Sequence, residues 1–326
     1  MKVRTYWIFG GFLVGLSGLL GGCLNGGDGN DESSKGWVTA DTALKTYSLQ
    51  DVFFLNKDTG YVVGSDLWRT IDGGATWSPQ HVEAEFLTSV FFLNGQRGWA
   101  AGARGSTFRT TDGGAAWGQS EAWADYHARG ILFTDPLNGF CVGDDGHLAR
   151  STDGGATWSL LRIDGGPNLY GLYFVSKTRG FVVGENGLML VTQNAGSSWQ
   201  PVTTGTERDL YAVQFVDSLL GYAVGADGGH GWVYKTVDGG QSWSDVSGAS
   251  GASQGHLALY FIDASTGWVA GDYGVIFKTV DGAATWKRQK SPRENTVSSL
   301  HFTDANHGWA VETYNGLIQT RTGGAD

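Results

Sequence analysis

Five aspartates recur in one local setting: Asp72, Asp112, Asp153, Asp238 and Asp281 each stand five residues before a tryptophan, at Trp77, Trp117, Trp158, Trp243 and Trp286. Asn194 before Trp199 is a sixth copy that keeps an acceptor and loses the charge. Carboxylates can hydrolyse glycosides when one protonates the leaving oxygen and a second, at a defined separation, acts as base or nucleophile. A reaction centre is needed once, whereas these residues return in nearly every period, so their expected work is conformational. The histidines at 81, 127, 147, 230, 256, 301 and 307 show no His-x-x-x-His spacing, and only two cysteines are present, which leaves no familiar zinc pattern. The glycines punctuate turns between strands and open no phosphate-binding helix. No metal and no cofactor is expected.

The elements that hold these residues follow from composition and periodicity. Of 326 residues 53 are Gly and only 5 Pro; 41% are hydrophobic and 13% aromatic, enough to exclude disorder and to indicate a turn-rich β protein. A formal charge of −10 argues against nucleic acid, whose phosphates require a basic face. A Gly-aromatic-Ala/Val-Ala/Val-Gly run begins at Gly60, Gly98, Gly139, Gly180, Gly221, Gly267 and Gly308, a period of about 41 residues. Each period holds four short strands, such as Leu210–Val216 and Gly221–Gly225 for the first two. Four antiparallel strands leave both sheet faces apolar, and radial stacking buries both. Trp37 lies 40 residues before Trp77, in register, so Trp37-Val38-Thr39 supplies the outer strand of the blade that residues 297–322 begin. The expectation is an all-β, seven-bladed β-propeller over residues 37–326, with four-stranded antiparallel blades and one blade shared by the N- and C-terminal strands. An open solenoid is the alternative, and it would expose edges that the sequence does not cap.

The turns Thr70-Ile71-Asp72-Gly73-Gly74-Ala75-Thr76-Trp77, Ser151–Trp158 and Thr236–Trp243 resemble the Asp box of sialidase-type propellers. The Asp accepts turn amide hydrogens, the glycines allow positive φ, and the indole is an apolar plug between sheets. The fuller pattern is similar to the photosystem II stability/assembly factor family of Asp-box (BNR-type) propellers, over roughly residues 37–326. That resemblance implies a non-enzymatic chaperone that binds a subunit of a membrane complex on the lumenal or periplasmic side. A sialidase-like enzyme would carry a Phe/Tyr-Arg-Ile-Pro segment; the one Arg-Ile pair here, Arg162-Ile163, is followed by Asp164.

Lys2 and Arg4 precede an uncharged stretch from Tyr6 to Leu20, a signal-peptide core shorter than a spanning helix. Leu20-Gly21-Gly22-Cys23 resembles the lipobox of bacterial lipoproteins, which implies cleavage after residue 22 and acylation of Cys23. Residues 23–36 are polar and Gly-rich and read as a tether. The expected location is the cell envelope, extracytoplasmic and lipid-anchored, with Leu24 favouring an outer membrane; an uncleaved anchor helix is the alternative. Cys141, in an apolar run, has no disulfide partner once Cys23 is acylated.

Candidate contact residues fall into three groups. Arg69, Arg109, Arg150, Lys235 and Lys278 share the slot before the box, either paired with neighbouring acids or lying along the strand surface, or else forming a basic contact zone for an acidic partner. Asp66, Asp144, Asp145, Glu185, Asp227 and Asp272 occupy the turns between second and third strands, as solvated acids or as a cation-friendly funnel. Blade connections vary most and carry Trp123, Tyr126 and Arg129; a hairpin insertion adds Trp232. The expected function is an extracytoplasmic binding or assembly module whose partner is a protein of a membrane or envelope complex. A carbohydrate-active propeller and a polysaccharide-binding surface protein remain as alternatives.

Overall fold

The inner strand of each blade ends in Phe, and the second strand begins with Gly, because the ring of that Phe lies over the glycine and leaves no room for a Cβ; at Gly180 an added Cβ would sit 2.7 Å from Phe174. This pairing recurs around the ring in the computed structural model, which describes residues 36–40, 44, 48–248, 254–314 and 316–325. The described residues form seven four-stranded antiparallel sheets. The inner strands are Asp51–Phe54, Leu87–Phe92, Ala128–Phe133, Leu169–Phe174, Asp209–Phe215, His256–Phe261 and Val297–Phe302, which define blades 1 to 7. Blade 3 is typical: Ala128–Phe133, Gly139–Gly143, His147–Ser151 and Ser159–Arg162 pair in sequence order. Second strands are buried along their length, as in Gly98–Gly102 and Gly139–Gly143, because neighbouring blades cover both faces. Helical geometry among the described residues is confined to short 3-10 turns.

The last blade is closed by the N-terminus. Trp37–Thr39 pairs antiparallel with Gly316–Thr320, with Trp37 opposite Thr320. The Gly36 amide donates to the Ala325 carbonyl oxygen at 2.7 Å, so the two ends of the ring meet. The chain is an all-β, seven-bladed propeller. Residues 1–22 and 23–35, with the lipobox and Cys23, lie outside the described residues.

Three rings stack at every blade interface. The aromatic of one blade's second strand lies flat on the inner-strand Phe of the next, as Trp309 on Phe54, Tyr61 on Phe92, Tyr222 on Phe261 and Trp268 on Phe302, with centroids 3.6–3.8 Å apart. The box Trp of that next blade meets the same Phe edge-on, as Trp77 on Phe54, Trp117 on Phe92 and Trp158 on Phe133. Trp199, Trp243 and Trp286 repeat the contact in blades 4 to 6. Trp37 does so on Phe302 at 5.7 Å and 85°, which makes it the seventh box Trp. Each such aromatic contact contributes roughly 0.5–1.5 kcal/mol beyond the area it buries.

Candidate functional site

The box carboxylates are consumed locally. Asp72 accepts from the Thr70 hydroxyl (2.8 Å), the Thr76 amide (2.8 Å) and the Thr76 hydroxyl (2.5 Å). Asp153, Asp238 and Asp281 repeat this set with Ser151 and Thr157, Thr236 and Ser242, and Thr279 and Thr285. Asp112 lacks the second hydroxyl because Ala116 replaces Thr and offers only its amide. Asn194 accepts through Oδ1 and donates Nδ2 to the Ser198 hydroxyl. The hydroxyl bond and then the amide bond hold Asp153 and Asp281 down to about 2, so these groups stay ionised as acceptors. The turn itself needs Gly73 and Gly74 at φ +73° and +91°.

Three of the five cations reach across blades to the box of the next. Lys235 Nζ donates to the Gly282 carbonyl oxygen (2.8 Å), Lys278 Nζ to that of Gly323 (3.2 Å), and Arg150 Nη1 to the Ser197 hydroxyl (3.3 Å). Second-strand aromatics with a polar head donate to the same carbonyls, Tyr61 to Gly113 and Trp99 to Gly154, both at 2.9 Å. Blade 4 has Phe181 in that slot with no donor, and Arg179 supplies the bond to Gly239 instead. Among the described residues none of Arg69, Arg109, Arg150, Lys235 and Lys278 is ion-paired, so neighbouring acids do not hold this row.

The opposite end of the ring carries the variable chemistry. In blades 2 to 7 the inner strand is bulged at one equivalent residue: Thr88, Arg129, Tyr170, Tyr211, Leu257 and Ser298. A bulge re-aims its side chain, and Thr88, Tyr170 and Ser298 reach the next blade. Thr88 donates to the Ala128 carbonyl oxygen (2.6 Å) and Ser298 to that of Gln50 (3.1 Å). Tyr170 and Tyr211 stack at 4.9 Å. Glu185 is fixed beside them by the Asn168 amide and side chain, and Asp209 accepts the Asn186 amide. From Tyr211 a cleft of about 740 Å³ opens past Asp209, Glu207, Asp227 and Asp272. Burial first, then Asp209, Asp272 and Glu185, push the Tyr211 phenol up to about 12. The second and third strands of blade 5, Gly221–Asp227 and His230–Thr236, extend beyond the usual length, and Ala226–Gly229 at their joining turn wall this cleft.

Sequence comparison fits this architecture. The family model described as Photosynthesis system II assembly factor YCF48 matches residues 30–123, 123–207 and 191–293. The chain belongs to that family. A solved structure of YCF48 bound to a D1 peptide is 21% identical, with TM-score 0.70, covering 88% of this chain and 96% of that one. YCF48 from Cyanidioschyzon merolae is likewise 21% identical, TM-score 0.68, covering 88% and 98%. The GH74 xyloglucanase from Xanthomonas campestris is similar in fold at 15% identity, TM-score 0.68, covering 89% of this chain and 54% of its own. No curated protein matches the sequence.

Within this YCF48-family ring the predicted contact residues separate. Trp123 is buried, 7% exposed, with its Nε1 donating to the Tyr126 carbonyl oxygen (2.9 Å). Its connection folds back so that the indole fills the space above Gly143 and caps the core there. Tyr126 stays exposed and stacks on His147 at 4.5 Å. Arg129 is paired with Asp144 at 2.7 Å. Trp232 is half-buried under the Arg208 guanidinium, 3.7 Å from the ring. Tyr170, Tyr211, Asp209 and Glu207 went unremarked in the sequence. Aligning the repeats on their inner strands would have set Tyr170 and Tyr211 apart, because the same slot holds Thr88, Arg129, Leu257 and Ser298 in the other bulged blades.

Proposed function

We propose that this chain is a non-enzymatic, extracytoplasmic protein-binding module that assists assembly of a membrane or envelope complex, tethered through an acylated Cys23. The family match over residues 30–293 carries the reading, and a relative of the same architecture holds a D1 peptide. The box aspartates, each bonded within its own turn, are committed to scaffolding, which leaves recognition to the variable face. Residues 1–22 would be the signal peptide and 23–36 the tether. Crosslinking in intact cells followed by mass spectrometry should capture a membrane-complex subunit, and Cys23→Ala should move the protein from the membrane to the soluble fraction. Turnover of a glycoside panel by purified protein, abolished by one carboxylate change, would replace this reading with the hydrolase one. A lipid-independent distribution would remove the anchor from it.

A further inference from the structure

We propose that the cleft across blades 4, 5 and 6 on the variable face docks an arginine- or lysine-bearing segment of a partner protein; this rests on the protein-binding reading and adds the chemistry of the partner. Its walls come from separate parts of the chain: Asn186 from blade 4, Glu207 and Asp209 from the connection into blade 5, Asp227 from the extended hairpin, and Asp272 from blade 6. Four carboxylates therefore face one cation, Arg208. That cation is already engaged, stacked on Trp232 at 3.7 Å and 3.8 Å from the Asp227 carboxylate. Among the described residues Glu207, Asp209 and Asp272 have no ion pair.

The hydrogen-bonding inventory points the same way. Asp209 and Asp272 each take one donor from the protein, the Asn186 amide and the Thr296 hydroxyl, and keep spare acceptor capacity. A lining of this kind fits a group that only donates, and guanidinium offers five donors and no acceptor. Tyr211 lines the cleft together with Asp209 and Asp272, and these two carboxylates and Glu185 raise its phenol against one opposing cation, Arg129, so the field there is negative. Tyr211 also presents an aromatic floor, and aromatic rings attract guanidinium and ammonium. Arg208 on the cleft wall makes that same contact with Trp232 behind it. An acidic segment, a phosphate or a nucleic acid would meet repulsion here.

The test is fluorescence anisotropy on the full chain with a labelled ten-residue peptide of alternating arginine and glycine, against a glutamate-glycine peptide of equal length. The arginine peptide should bind, and more weakly as salt rises. Asp209→Asn with Asp272→Asn should weaken it about tenfold or more, as should Glu207→Lys at the rim. Glu83→Gln with Glu121→Gln removes the same charge from exposed sites on the connection out of blade 1 and the outer strand of blade 2, and should change affinity less than about twofold. Equal losses in the cleft and control variants, no loss in the cleft variants, or equal binding of the glutamate peptide would overturn the proposal. Thermal melts verify folding, and if the double variant does not fold, Glu207→Lys decides. Cleft variants that still crosslink the cellular partner with full efficiency sink the cleft and leave the protein-binding reading standing. A wild-type chain that captures no partner yet binds the arginine peptide at the cleft sinks only the broader reading.

Discussion

His301 shows how a single residue at the channel wall has been adapted to a repeated task. It occupies the inner-strand slot filled elsewhere by Phe53, Phe91, Leu132, Tyr173, Gln214 and Tyr260, each opposite the aromatic of its own second strand. In two blades a polar head group in that slot bonds the end of the next inner strand: Tyr173 to the Phe215 carbonyl oxygen (2.8 Å), and Gln214 to both polar groups of the Phe261 backbone (2.8 and 2.9 Å). His301 bonds the Phe54 backbone and lies 4.8 Å from both Phe53 and Tyr260. Burial pushes its pKa down to about 4, so the native protein holds the ring neutral. The unfolded chain binds this proton near pH 6.5. Native stability therefore falls as pH drops from about 6.5 to 4, by an amount on the order of 2 kcal/mol after allowing for partial solvation, and this residue adds no further loss below that range. His301→Phe keeps the ring and removes the proton. Urea unfolding from pH 7 to 4 should show a constant offset for the lost bond and a shallower slope than wild type. Identical slopes would show that His301 charges freely in the fold.

At the scale of the strand, Trp37 carries more than its three-residue element suggests. Its ring is 5% exposed, edge-on to Phe302, and its Nε1 donates to Gln289 of blade 6 at 2.8 Å. Trp37→Ala should cost about 3–5 kcal/mol, the usual range for emptying a buried indole site, and lower the melting temperature by roughly ten degrees in a domain of this size. Trp158→Ala removes a half-buried box indole from a blade continuous in sequence and should cost less. A smaller effect at Trp37 than at Trp158 would mean that the shared strand does not hold the ring shut. Trp37 was legible in the sequence because glycine, aromatic and box residues recur at fixed offsets, and that recurrence counts blades and locates the missing outer strand. The site was less legible. Tyr170 and Tyr211 look like ordinary strand residues until the bulge turns them toward the channel mouth, and Lys235 finds its acceptor 47 residues away in another blade. Such contacts depend on how sheets stack, which local pattern does not encode.

For the molecule as a whole, the question is whether the ring is held by the shared blade or by the stacked faces between blades. Every interface repeats the same three-ring contact, including the one between blades 3 and 4, where Phe140 stacks on Phe174 at 4.3 Å and Trp199 closes edge-on at 6.1 Å. Seven such faces should keep a wheel closed even where no strand crosses the join. A circular permutant tests this directly. The two ends of the ring already meet at the bond from Gly36 to Ala325, so in a chain without residues 1–35 a short Gly/Ser linker can join them and make the last blade continuous. New ends fit between Asp164 and Gly165, an exposed turn where an added Cβ at Gly165 would touch nothing. The cut crosses one turn bond, from the Gly166 amide to the Ile163 carbonyl oxygen (3.2 Å). The permuted chain should fold with an unchanged near-UV aromatic spectrum and melt within a few degrees of wild type, while unfolding faster, because its first and last blades are now joined only by packing. Loss of the folded state would instead assign ring closure to strand sharing, with the aromatic stacks too weak to hold the circle alone.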